Sequence, residues 1–142
     1  RSALDLTELR GRELTGRRYL GTHASPEGLL LGIMTDDGKV LAWPLPGGGP
    51  ARELAPLGPQ EVFVGWSADP ARIQVATWNG PTARIDALDI TTGRRSTIRD
   101  ITVDDPAGLL TVPVLYLSGD ARTYIYGSTR MLSTLYLVTG LQ

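Results

Sequence analysis

Apolar residues stand at every second position in three separate stretches of this chain. In each stretch a short apolar segment leads into a serine and a small turn, and a second alternating segment follows. Ser25 follows residues 20–24 and precedes Leu29–Thr35. Ser67 follows Val62–Trp66 and precedes Ala71–Thr77, and Ser118 follows Val114–Leu117 and precedes Arg122–Ser128. Aligned on the serines, the three segments match without a gap. Leu31, Ile73 and Tyr124 stand six residues past the serine, and Ile33, Val75 and Tyr126 stand eight past. Thr35, Thr77 and Ser128 stand ten past. A period of two predicts strands with one buried face, so each unit reads as an antiparallel hairpin.

Further strands follow the hairpins. Val40–Leu45 reads as a third strand and Ala51–Leu54 as a fourth; Ala83–Ile90 and Arg94–Ile101 fill the same places in the next unit. Pro44 lacks an amide hydrogen and therefore belongs near a sheet edge. In the last unit Leu135–Val138 reads as a third strand, with none after it. The serines are 42 and then 51 residues apart. Four short strands repeated at about 40–50 residues are the pattern of a β-propeller blade.

The expectation is therefore an all-β chain forming a single β-propeller unit over residues 1–142. Residues 17–58 form a first blade, 59–104 a second, and 105–142 a third that lacks its outer strand. Residues 1–16 supply an outer strand of a preceding or exchanged blade, since Ala3–Leu6 resembles Ala87–Ile90 and Arg12–Thr15 reads as an edge strand. Closed propellers usually hold four to eight blades. Two completions are open: a strand-exchanged homodimer closing a six-bladed ring, or a missing half in a longer polypeptide. The chain begins at Arg1 rather than Met, which fits processing or excision from a longer protein.

Composition agrees with this reading. Seventeen glycines and ten prolines in 142 residues mean many turns and favour short strands over long helices. A formal charge of −1 supplies no footprint for nucleic acid or an anionic membrane. No apolar run is long enough for a transmembrane helix, and no signal-peptide pattern is present. The absence of cysteine removes disulfides and thiolate metal sites.

Two local motifs carry a family resemblance. Trp66-Ser67-Ala68-Asp69 resembles the W-S-P-D-G element of TolB-like, or WD40-like, bacterial propeller repeats, and Leu88–Gly93 resembles their V-D-L-x-T-G hairpin. Tyr124–Val138 is similar to the C-terminal blade of propellers in acidobacterial-type multidomain kinases and winged-helix regulators. The resemblance spans roughly residues 20–142. It implies an interaction or sensing module, and membrane-anchored members of the family place an extracytoplasmic location among the options. Compartment stays open.

Candidate chemistry is sparse. His23 is the only histidine and lies on an expected innermost strand, facing the propeller channel. Asp36-Asp37-Gly38 lacks the later carboxylates of a calcium loop and reads as a tight hairpin turn. Asp104-Asp105-Pro106 also reads as a turn. Gly65–Asp69 is not a nucleophile elbow, and Gly47-Gly48-Gly49 lacks the lysine of a phosphate loop. No catalytic residue, cofactor or metal is expected. Trp43 and Trp66 are expected between blades, and Trp78 in a more exposed loop. Loops carry propeller function, so a ligand face would gather Asp36, Asp37, Trp78, Asn79 and Arg130. The functional expectation is a non-enzymatic protein-interaction or sensing module, partnered by protein or by a second copy. The alternative is a small-ligand or carbohydrate binder using the channel and loop aromatics.

Overall fold

The computed structural model describes residues 19–45, 49–54 and 56–134. These residues are all-β, in three antiparallel sheets, with no helix among them. The first sheet orders β1 (Tyr19–Ala24), β2 (Leu30–Thr35), β3 (Val40–Pro44) and β4 (Arg52–Glu53) consecutively. The second orders β5 (Glu61–Trp66), β6 (Arg72–Asn79), β7 (Thr82–Asp89) and β8 (Arg95–Thr102) in the same way. β9 (Leu109–Leu117) and β10 (Tyr124–Arg130) pair as the third. The strands expected at Leu135–Val138, Ala3–Leu6 and Arg12–Thr15 lie outside the described residues.

The aligned serines do one job three times. Each closes a hairpin by donating its backbone N–H to the carbonyl five residues on: Ser25 to Leu30, Ser67 to Arg72 and Ser118 to Thr123, at 2.8, 3.1 and 2.9 Å. The Oγ of Ser25 and of Ser118 accepts the N–H of the same partner, at 3.0 Å in both. A hydroxyl that accepts locally while sitting at a strand end is what these turns require. Gly28 and Ala121, each three past its serine, take up φ of 69° and 55°.

The other turns are equally local. At Asp36-Asp37-Gly38 the Gly38 N–H donates to Thr35 O at 3.0 Å, and the buried Thr35 hydroxyl donates to Asp37. Asp89 accepts the N–H groups of Thr91 and Thr92 at 3.0 and 2.7 Å, which draws its pKa below the ordinary value. The Asp105 side chain accepts from Ala107 N–H at 3.2 Å with φ of 49°. All three are turns.

The second sheet is covered on both faces. Its Phe63, Trp66, Ile73, Val75 and Leu88 pack against Met34, Val40, Ala42 and Leu54 of the first sheet. On its reverse, Val64, Ala76, Ala83, Ile85 and Ile101 pack against Leu115 of the third, with Leu117, Tyr124 and Tyr126 half-buried beside them. The expected single buried face of β6 is thereby corrected. Ile73, Gln74, Val75 and Ala76 are all buried, because a sheet lies on each side.

Two residues on this strand pair decide the geometry. Between Phe63 and Gly65 the register of β5 slips, pairing Phe63 with Val75 and Trp66 with Ile73. That bulge, with Gly65 at φ of 153°, turns Trp66 onto the same face as Phe63. The Trp66 indole N–H then donates across the interface to His23 O at 2.9 Å. Gly32 of the first sheet lies under both rings: a Cβ there would meet Phe63 Cζ at 2.7 Å and Trp66 Nε1 at 2.9 Å. Close approach, not backbone conformation, excludes a side chain at this position.

Polar contacts join the second and third sheets. Fully buried Gln74 donates through Nε2 to the carbonyls of Ser118 and Gly119 at 2.9 and 3.0 Å. The Ala68 N–H donates to the same Gly119 carbonyl at 2.7 Å. Arg99 lies 5.0 Å over the Tyr124 ring and donates to Ala121 O at 3.3 Å. These bonds tie the second and third sheets together.

Candidate functional site

Three of the concave surfaces bear on the residues singled out from sequence. The first strands of the first two sheets, β1 and β5, and the β9–β10 turn border a cleft of about 790 Å³, lined by His23, Gly65, Trp66, Ser118 and Asp120. The His23 ring meets Phe63 edge-on at 5.1 Å and Tyr116 at 5.9 Å, so rings from all three sheets meet there. Burial lowers the His23 pKa and keeps the imidazole neutral at pH 7. Burial among aromatic rings, rather than ligation, accounts for this histidine. Asp120 accepts from Ser118 Oγ at 2.6 Å and from Arg122 N–H at 3.0 Å, which lowers its pKa.

The other two surfaces share Trp78. On one side a polar groove of about 720 Å³ is lined by Gln60, Thr77, Trp78, Asn79, Thr82, Arg84 and Asp100. On the other, an apolar groove of about 410 Å³ runs between Trp78, Pro81, Pro106 and Leu109–Val112. The expectation of Trp78 in a loop is corrected: it lies within β6, paired with Ala83, and is half-buried. Here β6 and β7 extend to a tight turn at Gly80, whose φ is 59°. Val40 and Ala42 point to the second sheet, so the pleat turns half-buried Trp43 the other way, outside that interface.

Among the residues singled out from sequence, Trp78 and Asn79 both border the polar groove, but the pleat turns Asn79 to the face of Thr77 and Trp78 to the face of Ala83 and the third sheet. Arg130 pairs in register with Leu109, on the apolar groove's far wall. Its guanidinium is held by Asp105 at 3.0 Å and by Asp104 O at 2.8 Å. Asp36 and Asp37 are exposed in the β2–β3 turn and line neither groove. Thr77, Arg84 and Asp100 were not singled out from sequence. They face one another across β6, β7 and β8, where Thr77 pairs with Arg84 and Arg84 with Asp100. Their only sequence signal is polarity beside the apolar positions Ala83, Ile85 and Ile101, and strand register is needed to join them.

Beside this groove, Arg95 grips Glu61 with Nε to Oε1 at 2.7 Å and Nη2 to Oε2 at 2.8 Å. That pair holds the Glu61 carboxyl below its ordinary pKa. Asp86 is buried, and its Oδ1 lacks a hydrogen bond and lies 3.7 Å from Arg84 Nε. Among the described residues no three His, Cys, Asp or Glu side chains cluster as a metal site would need. Comparison with protein-family models and with curated proteins finds no match to this sequence.

Proposed function

We propose that the three sheets are consecutive blades of a β-propeller, and that the chain is a non-catalytic protein-interaction or sensing module. The reading rests on the open face of the third sheet. Ile125 stands seven past its serine, as Gly32 and Gln74 do. Those two are buried under the following sheet, whereas Ile125 is 69% exposed. Its register partner Tyr116 is 56% exposed, and Val114, two residues before it, is 38% exposed. An apolar sheet face of this kind is ordinarily covered by another element.

The partner that continues the stack is another blade, from a second copy or from further chain. A second copy closes a six-bladed, strand-exchanged ring with twofold symmetry. The small net charge supports a protein partner over nucleic acid or membrane.

Light scattering at several protein concentrations, on the wild type and on Ile125→Asp, tests the reading. Two chains of 15.3 kDa give a mass of about 31 kDa for the pair, and Ile125→Asp should return it to one chain. A wild type that stays monomeric at high concentration sinks the homodimer. If it also fails to bind a supplied longer version of the chain, the interaction face itself is wrong.

A further inference from the structure

We infer that the open face of the third sheet fits the first sheet of a second copy of this chain, where Thr22 and Ala24 receive Ile125 and Tyr116. The inference rests on the blade reading above and names the surface that such a partner brings. Strand register aligns the three sheets residue by residue. Opposite the residue six past each serine stand Ala24, Trp66 and Leu117, and opposite the one eight past stand Thr22, Phe63 and Leu115. Opposite the one seven past stand His23, Gly65 and Tyr116. Paired residues share a face, and neighbours along a strand alternate. In both junctions the seven-past residue of one sheet meets the start of the next. Gly32 lies under Phe63 and Trp66, and buried Gln74 donates to the Ser118 and Gly119 carbonyls just after Leu117.

Side-chain size is matched across these junctions. The first sheet offers glycine at residue 32, and the second answers with Phe63 and Trp66, which fill the space a Cβ would need. The second offers Gly65 and Gln74, and the third answers with the intermediate Leu115 and Leu117. The third offers the bulky pair Ile125 and Tyr116, 69% and 56% exposed. A sheet that closes on it at the same spacing needs small residues, since another Phe and Trp would be overpacked. The first sheet has them in Thr22 and Ala24, both exposed. None of the four residues is charged, so burying them strands no ion. A twofold axis makes the contact twice, third sheet to first and first sheet to third.

The chain has no cysteine, so cross-linking gives a clean test. Ala24→Cys and Ile125→Cys proteins are made separately, mixed, and joined with a short bismaleimide. The mixture should give a linked pair of about 31 kDa, two chains of 15.3 kDa, with far less from either variant alone. Ala24→Trp should weaken pairing about tenfold by striking Ile125. Adding Ile125→Gly to the same chain should restore it, re-creating the match of Trp66 with Gly32. Both positions are exposed in the single chain, so the variants should fold, with circular dichroism as the check. A wild type that pairs in light scattering, yet gives no mixed cross-link and keeps its mass in Ala24→Trp, overturns this inference and leaves the blade reading intact. A wild type that never pairs but binds the longer version of the chain does the same. Failure of both kinds of binding sinks the inference and the reading together.

Discussion

Replacing Gly32 by alanine is the sharpest probe of how the first two sheets meet. The added Cβ would lie 2.7 and 2.9 Å from Cζ and Cε1 of Phe63 and 2.9 Å from Trp66 Nε1. Neither ring can escape to solvent, since Phe63 is 3% and Trp66 5% exposed. Phe63 is further held edge-on to His23, and Trp66 by its bond to His23 O. Overpacking of this kind costs about 1–3 kcal/mol, and weakening the indole bond adds about 1 kcal/mol. The same substitution at an unconstrained glycine would stabilise by about 0.4–1 kcal/mol through the unfolded chain, so the sign itself is informative. A net loss of about 2–3 kcal/mol should lower the urea midpoint by roughly 1–2 M. Unfolding would be followed by far-ultraviolet circular dichroism and by tryptophan fluorescence. Repeating Gly32→Ala in a Phe63→Leu background removes the Cζ that the methyl strikes, so the cost there should fall by more than half. A Gly32→Ala protein within about 0.5 kcal/mol of wild type would refute the close-approach account, as would an equal cost in both backgrounds.

Three further outcomes follow from the interfaces. Gln74→Ala removes the two bonds to Ser118 and Gly119 and empties a buried site, and should cost about 2–3 kcal/mol; hydrogen exchange should quicken first in β9 and β10. His23 has a folded pKa below its ordinary 6.5, so its contribution is complete above 6.5 and is lost as pH falls toward the lower folded value. His23→Leu should flatten the denaturation midpoint across that window, and an unaltered slope would contradict the burial argument. Glu61 is likewise depressed by Arg95, so its contribution holds above its ordinary 4.5 and disappears as pH falls through the folded value. Glu61→Gln should cost about 1 kcal/mol at pH 7 and nothing at pH 2 in chemical denaturation, the Arg95 end being exposed enough for solvent to screen the pair.

Local chemistry was legible in the chain. The serines at 25, 67 and 118, the Asp-Gly turn at 37–38 and the Asp89–Gly93 hairpin are short-range devices whose hydrogen bonds close within five residues. Strand order within the first two sheets follows from them, because short turns force neighbours to pair antiparallel. The Trp78–Asn79 end of the polar groove was also visible, as an aromatic and an amide beside a turn.

Tertiary structure decided the rest, because the deciding contacts join residues far apart in the chain. A period of two says that a strand has two different faces, not whether a second sheet covers the other one. Only stacking shows β6 buried on both sides and Gln74 spent on carbonyls 44 and 45 residues away. The bulge at Gly65 breaks the period by one residue, and so places Trp66 over Gly32 where counting would turn it away. Pleat direction sent Trp43 to the opposite face, and strand register set Thr77, Arg84 and Asp100 side by side. Alternation along the chain thus determined which residues form strands. Which face of each strand meets a neighbour is a property of the packed sheets.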